Sequence, residues 1–493
     1  MIRILHTADW HLGQTFFGYD RVEEHAHFLD WLARELKENE IDVLLIAGDV
    51  FDVSNPSAAS QRMFYRFIRR VTTENPQLQL VIVAGNHDSA ARLEAPLPLL
   101  QEMRTDIKGI VRRRDGEIDY DDLIVELKNR SGEVEALCLA VPFLRQGDYP
   151  VVVTDGNPYA EGVKELYTRL QNRAMERRKK DQAIVAVGHL QATGSEIAER
   201  DFSERTIIGG LECVSPDTFT EQIAYTALGH IHKSQRVSGR ENIRYAGSPL
   251  PMSFAERDYH HGVVMVTLAE GWAVEIEKRE YTPLVRLLSV PKGKAVSPEE
   301  VLDELARLPL QMEEAKGNSH YPYLEVKVLL TEPEPMLRQQ IEEILSDKAV
   351  RLARIVSVYR QAKTDVKEEA LVATGLQEMN PLQILKMTFE NTYQTEMPEE
   401  LERLFEEVFV EVCAPTLRGI KGERRIERGE EWREGKGSGE KCLADDGTVD
   451  RQIFSFFHFI HYSFSNWHIG TLNYWHIIYY EDIDNTIKES NFY

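Results

Sequence analysis

Apolar runs and helical stripes alternate along the first hundred residues. Ile2 to Leu5 is mostly apolar, Val22 to Lys37 carries apolar positions at helical spacing, and Val43 to Ala47 is apolar throughout. A helical stretch from Ser57 to Val71 and an apolar run from Leu80 to Ala84 repeat the unit. Each run is followed at once by glycine or polar residues, so the pattern predicts an α/β fold with chemistry at its strand ends. Ala183 to Val187, Ile223 to Leu228, Ile243 to Tyr245 and Gly262 to Val266 read as further strands of a first domain spanning residues 1–280.

A second rhythm follows. Strand signals from Leu284, at Tyr323 to Leu330 and at Arg351 to Val358 alternate with helices over Pro298 to Leu308 and Pro335 to Leu345. This predicts a small α+β module at residues 281–362. The charged stretch Lys363 to Glu369 reads as a linker. Beyond it Leu382, Ile384, Leu385 and Phe389, then Leu401, Leu404, Phe405, Val408 and Phe409, form two apolar helical stripes. They predict a helix pair within 363–413, packed on its own domain or docked on a partner. Residues 414–493 differ in kind. Leu417 to Asp450 is rich in Gly, Glu, Arg and Lys, whereas 13 of the residues from Arg451 to Tyr493 are aromatic, with no organising period. That segment is expected to be a disordered or non-native tail.

Composition narrows the partners. With 58 basic and 81 acidic residues in 493, the net charge of −23 argues against attachment to DNA or anionic lipid by bulk positive charge, so any nucleic-acid contact has to be local, cation-assisted or shared. Arg21, Arg62, Arg92 and Lys233 are the basic side chains near the motifs that could meet a phosphate. Cys138, Cys213, Cys413 and Cys442 show no CxxC spacing, no apolar run approaches the roughly 18 residues of a membrane span, and no signal peptide is read at MIRILHTADW. The expected location is the cytoplasm, with no membrane partner.

Five strand ends carry metal-ligand chemistry: Asp9 and His11 in TADWHLG, Asp49 in LLIAGDVFD, Asn86 and His87 in VIVAGNHD, His189 in VAVGHL, and His230 and His232 in LGHIH. Carboxylate, imidazole and amide donors converging on one sheet edge suit two cations of the Mn²⁺, Fe²⁺ or Zn²⁺ type better than Ca²⁺. In Asp9-x-His11 and His230-x-His232 an extended backbone would turn alternate side chains to one side. Glycines 48, 85, 188 and 229, each directly before a candidate donor, would permit close backbone approach.

TADWHLG, AGDVFD, GNHD, LGHIHKSQ and YAGSPLPMSFAE together resemble the DNA-repair nuclease branch of the calcineurin-like metallophosphoesterases, over roughly residues 1 to 410. The resemblance implies two β-sheets flanked by helices, a small α+β capping domain and a C-terminal helix pair gripping an SbcC-type ATPase. It implies that Asp9, His11 and His232 hold one cation, that Asn86, His189 and His230 hold another, and that Asp49 bridges them. The cations would be Mn²⁺ first. His87 becomes the candidate for protonating the leaving oxygen, with Asp52 as a candidate to orient its ring. The implied activity is ATP-dependent double-strand exonuclease and single-strand or hairpin endonuclease action, in repair, recombination and replication. The implied assembly is a homodimer within a heterotetramer, acting on DNA ends and hairpins. No GxxxxGK[ST] motif occurs, so ATP-driven activity requires another chain. Two alternatives stay open at this point: a stand-alone metallophosphatase or small-nucleotide phosphodiesterase, and a non-catalytic DNA-end tether.

Overall fold

The computed structural model describes residues 1–359 apart from 155, 197–212, 313–318 and 332–333, together with isolated positions between 382 and 403. Two six-stranded sheets form the larger part. The first runs in the order Trp272–Glu280, Gly262–Ala269, Ile2–Thr7, Val43–Ala47, Gln79–Val83 and Thr105–Lys108, the last four parallel and Gly262–Ala269 antiparallel to both of its neighbours. The second runs Gln235–Val237, Arg240–Tyr245, Tyr225–Gly229, Ala183–His189, Val134–Val141 and Ile124–Lys128, with antiparallel strands only at its edges.

Strand alternation explains the layers. Ile2, Ile4, Val43, Leu45, Val81 and Val83 face the second sheet, where they meet Cys138, Val185, Val187 and Tyr225. Their neighbours Leu5, Leu44, Ile46, Leu80 and Ile82 face the helices Val22–Glu38 and Ala58–Glu74. Burial on both faces is why these strands read as unbroken apolar runs. The outer face of the second sheet is covered by helix Pro158–Arg177 through Val163, Leu166, Tyr167 and Leu170. That helix starts on Asn157, whose side-chain oxygen accepts from the Tyr159 amide at 2.9 Å, with Pro158 in the first turn. The expected sandwich of two sheets flanked by helices is what the chain forms. The structure adds strands Thr105–Lys108, Ile124–Lys128 and Val134–Val141 and helix Pro158–Arg177, which the apolar pattern had not singled out.

Residues from Leu287 build a three-stranded parallel sheet, Leu287–Val290, Tyr323–Leu330 and Arg351–Tyr359, covered by helices Pro298–Ala306 and Leu337–Leu345. This module belongs to the same compact unit as the sandwich, Met1–Lys363. Tyr323 donates to Glu24 at 2.8 Å, and Phe16, Phe254, Val285 and Tyr323 form a shared apolar cluster. The expected linker and tail lie outside the described residues. Of the expected helix pair only isolated positions are described; Leu382, Lys386, Phe389, Glu402 and Arg403 are helical, with Lys386 paired to Glu402 at 2.7 Å. Among the described residues no helix is long and apolar enough to cross a membrane.

Burial also sets a pH response. Desolvation lowers the pKa of His6 and of His25 to about 3 and that of His261 to about 4, so all three stay neutral in the fold. In the unfolded chain each protonates near pH ~6.5, so their contribution to stability is complete above that pH and is lost as pH falls toward the folded values. Each adds a slope of up to about 1.4 kcal/mol per pH unit in that window. Urea unfolding in chelator between pH 6.5 and 4.5 is expected to show falling stability, with a shallower slope for His6→Gln.

Candidate metal centre

The shared upper edge of the two sheets gathers every predicted donor. Asp9 and His11 follow the first strand, Asp49 follows Val43–Ala47, and Asn86 and His87 follow Gln79–Val83. His189 ends strand Ala183–His189, and His230 and His232 follow Tyr225–Gly229. Among the described residues, the donor atoms of Asp9, His11 and His232 lie within 4.8 Å of one another, as do those of Asp9, Asp49 and His189 and those of His11, Asp52 and His87.

The backbone that delivers them is not the extended one expected from the D-x-H and H-x-H spacing. Asp9, His11, Asp49 and His230 have φ of +53°, +46°, +46° and +99°. The chain turns sharply past each strand end, and the intervening residues serve as anchors. Trp10 is buried edge-on against Phe28, Phe64 and Phe67, and Ile231 is buried under the second sheet. Left-handed backbone costs an L-residue on the order of 1 kcal/mol or more, a cost the surrounding packing must offset. Glycine is required where strands and loops press together. A Cβ at Gly229 would stand 1.8 Å from the Ala47 carbonyl oxygen, and one at Gly85 would stand 2.1 Å from Asp49 Oδ1.

Hydrogen bonds aim the donors. The His230 amide donates to Asp9 Oδ1 at 2.9 Å, and the His87 amide to Asp49 Oδ1 at 2.9 Å. Asp49 Oδ2 is then left between His189 Nε2 at 3.3 Å and His11 Nε2 at 3.8 Å. Asn86 Oδ1 faces two imidazoles, His189 Nε2 at 2.9 Å and His230 Nδ1 at 3.1 Å. His189 Nδ1 is spent on the Ala47 carbonyl at 2.9 Å, which turns Nε2 toward Asp49 and Asn86. Neither ring nitrogen of buried His11 makes a hydrogen bond; Nδ1 is 3.3 Å from Asp52 Oδ1 but out of alignment.

The electrostatics are those of a cation site. Burial by itself would lower the His189 pKa, yet Asp49 and Asp9 overcome it and raise it to about 9. Burial raises Asp9. Asp49 ends well below the usual carboxylate range because the imidazoles, His189 foremost, outweigh its burial. His230 is driven down to about 3 by burial and then by His189, which keeps its ring a neutral donor. Two buried carboxylates among imidazoles, with His11 lacking any hydrogen bond, fit divalent cations, which would replace the proton this field draws onto His189.

Asp52 meets His87 through its main chain rather than its side chain. His87 Nδ1 donates to the Asp52 carbonyl at 2.7 Å, while the Asp52 carboxylate turns toward His11. Arg21 is corrected as a phosphate contact: it is 1% exposed and held by Glu24, Gln14 and the Pro251 carbonyl. Arg92 is bound to Asn55 and Lys233 to Glu196, whereas Arg62 is exposed.

Asp88, the last residue of GNHD, had drawn no role from the sequence. It is buried and accepts from the amides of Gly85 at 2.9 Å, Phe51 at 3.0 Å and Val50 at 3.1 Å, tying the Asp49 loop to the Asn86 loop. Burial, reinforced by Asp49, raises its pKa to about 6. Asp88→Ala would strand three buried amides at roughly 1–3 kcal/mol each. A loss of about 3 kcal/mol or more is therefore expected in urea unfolding of the chelated protein.

The sandwich is that of a calcineurin-like phosphoesterase, and the profile of that family matches residues 2–234. A second profile, the type 5 capsule protein repressor C-terminal domain, matches residues 283–393. Among relatives, the chain is 36% identical over 357 residues to the SbcD component of the SbcCD nuclease of Rhodobacter capsulatus, covering 71% of this chain and 86% of that protein. It is 28% identical over 432 residues to the Escherichia coli K12 protein of the same name, covering 86% and 99%, and 32% identical over 280 residues to that of Bacillus subtilis, covering 55% and 67%. The chain belongs to the SbcD family of phosphoesterase nuclease subunits.

Proposed function

We propose that this chain is the metal-dependent nuclease subunit of an SbcCD-type complex, cleaving DNA at ends and hairpins with an SbcC-type ATPase. The observation that carries the reading is the placing of Asp49 Oδ2 between His11 and His189 while Asn86 Oδ1 faces His189 and His230. Asp9, His11 and His232 would hold one cation, Asn86, His189 and His230 the other, and Asp49 would serve both. Mn²⁺ suits this mixture of carboxylate, amide and imidazole. Two such cations, when bound, neutralise the phosphate, acidify an attacking water and stabilise the leaving alkoxide.

The chain's own residues do the rest. His87 stands half-buried at the rim with Nδ1 fixed by the Asp52 carbonyl, so Nε2 is the atom that delivers a proton to the leaving oxygen. The T-shaped packing of His87 on His11, centroids 4.8 Å apart, holds that ring beside the candidate donors. Asp88 and the strained turns keep the donors in place before substrate arrives. Arg62 is an exposed positive charge available to a DNA phosphate. We divide the chain into a nuclease domain at 1–280, a capping domain at 281–362, a linker and ATPase-binding helix pair at 363–413 and a tail at 414–493, in a cytoplasmic heterotetramer built on a homodimer.

Substrate choice tests the reading. With Mn²⁺, the chain is expected to hydrolyse bis-p-nitrophenyl phosphate in preference to p-nitrophenyl phosphate. A preference for the monoester would favour a stand-alone phosphatase instead.

A further inference from the structure

The turn Phe254-Ala255-Glu256-Arg257 lies between the metal-site loop and the small parallel sheet, and it touches both. On the metal side, Glu256 is fully buried and its Oε1 accepts from His232 Nδ1 at 2.9 Å. Its Oε2 accepts from the Met252 amide at 2.9 Å, with the Ser248 hydroxyl at 3.5 Å. The Ser248 amide in turn donates to the His232 carbonyl at 3.0 Å. His232 is thus gripped by ring and backbone, and its Nε2 is the ring atom left to face Asp9 and His11.

On the other side, both ends of the same turn are held by the small module. The Arg354 guanidinium lies 5.1 Å from the Phe254 ring centroid and 5.4 Å from that of Phe17. Arg354 Nε donates to Glu325 Oε1 at 2.7 Å, Glu325 Oε2 accepts from the Ser289 hydroxyl at 2.9 Å, and Arg257 Nη1 donates to that same hydroxyl oxygen at 2.7 Å. Phe254, Glu256 and Arg257 are consecutive or nearly so, so the module's grip on the two flanking residues fixes the backbone that carries Glu256. Glu325 and Ser289, which join the two arginines, are both 2% exposed.

We infer that the small module positions the metal ligand His232 through this turn, with Glu256 as the positioning residue and Phe254, Arg257, Ser289, Glu325 and Arg354 as its support. A carboxylate on the far nitrogen of a ligating imidazole fixes the ring's tautomer and orientation and raises its basicity. Here that carboxylate is set in place by contacts from the other half of the unit. A displacement of the module would be felt at His232 through Glu256, a carboxylate contact on the turn that the module holds. The inference rests on the two-cation reading above.

Mn²⁺ titration of the full chain, followed by electron paramagnetic resonance and by metal content after desalting, separates the two. Wild-type protein binding fewer than two Mn²⁺ would count against the two-cation reading itself. With two bound to the wild type, Glu256→Gln is expected to weaken one site by about 10- to 100-fold and leave the other unchanged. Arg354→Ala and Ser289→Ala are expected to weaken that same site. In a Glu256→Gln background Arg354→Ala should add little, because both act through one carboxylate. Arg338→Ala, on the exposed face of helix Leu337–Leu345, is the control for general loosening of the module. Wild-type Mn²⁺ affinity at both sites in Glu256→Gln, or fully additive losses in the double variant, would overturn the inference. Thermal melting in chelator distinguishes a folded Arg354→Ala from an unfolded one, and Ser289→Ala carries the test if Arg354→Ala does not fold.

Discussion

Asp49→Asn is expected to lose cations and hydrolysis together, each by more than about 100-fold, the loss that even an outer partner of a metal site can cause. The side chain faces both His11 and His189, so no other residue compensates for its charge. Metal-free stability is expected to fall as well. The imidazoles, His189 foremost, hold the Asp49 carboxylate well below the usual range, so its charge stabilises the fold at neutral pH even though it raises the pKa of Asp9 and Asp88. The chelated variant should therefore melt below the chelated parent at neutral pH, and the rise in melting temperature on adding Mn²⁺ disappears. Differential scanning calorimetry with and without Mn²⁺ reads both effects. A variant that keeps its Mn²⁺-dependent rise would remove Asp49 from the centre.

His87→Ala is expected to separate the two properties that Asp49→Asn joins. His87 stands at the rim with its ring nitrogen on a main-chain carbonyl, so cation content should hold while turnover falls by ~10²-fold or more. A fall in kcat with little change in KM is the signature of a group acting in the transition state. Asp52→Ala should leave the His87 hydrogen bond in place, because its acceptor is the backbone. If His87→Ala lost its metals, or kept full turnover, the proton-delivery role would belong elsewhere.

Much of this architecture was legible because burial on both faces writes itself plainly. Val43 to Ala47, Ala183 to Val187 and Gly262 to Val266 are apolar at every or nearly every position, and each lies in a strand of the sandwich. The donors were legible because each follows such a run behind a glycine or a polar turn. Helix Pro158–Arg177 was available to the same reading, since Asn157 and Pro158 open it and Val163, Leu166, Tyr167, Leu170 and Ala174 recur at helical spacing; its long charged surface hides the stripe. Strand Val134–Val141 begins half-exposed and carries a bulge, which blurs its start.

Other features lie beyond sequence because they arise only when distant segments meet. The left-handed backbone of Asp9 and His11 is imposed by the burial of Trp10 between them, and neither residue type announces it. Glu256 follows an apolar turn and looks like a surface carboxylate until His232, 24 positions earlier, closes on it. Asp88 stood in plain view within GNHD, but its three amide partners come from two loops. In each case the missing information was a long-range contact rather than a local preference.

The most direct measurement is Mn²⁺-dependent cleavage of a linear DNA duplex closed by a hairpin at one end, using the full chain with and without an SbcC-type ATPase and ATP. Partner- and ATP-stimulated cleavage at the hairpin and the open end, abolished in Asp49→Asn and slowed in His87→Ala, is the expected result. A chain that holds two Mn²⁺ and hydrolyses small phosphate esters, yet leaves this DNA intact with the ATPase present, would contradict the nuclease reading.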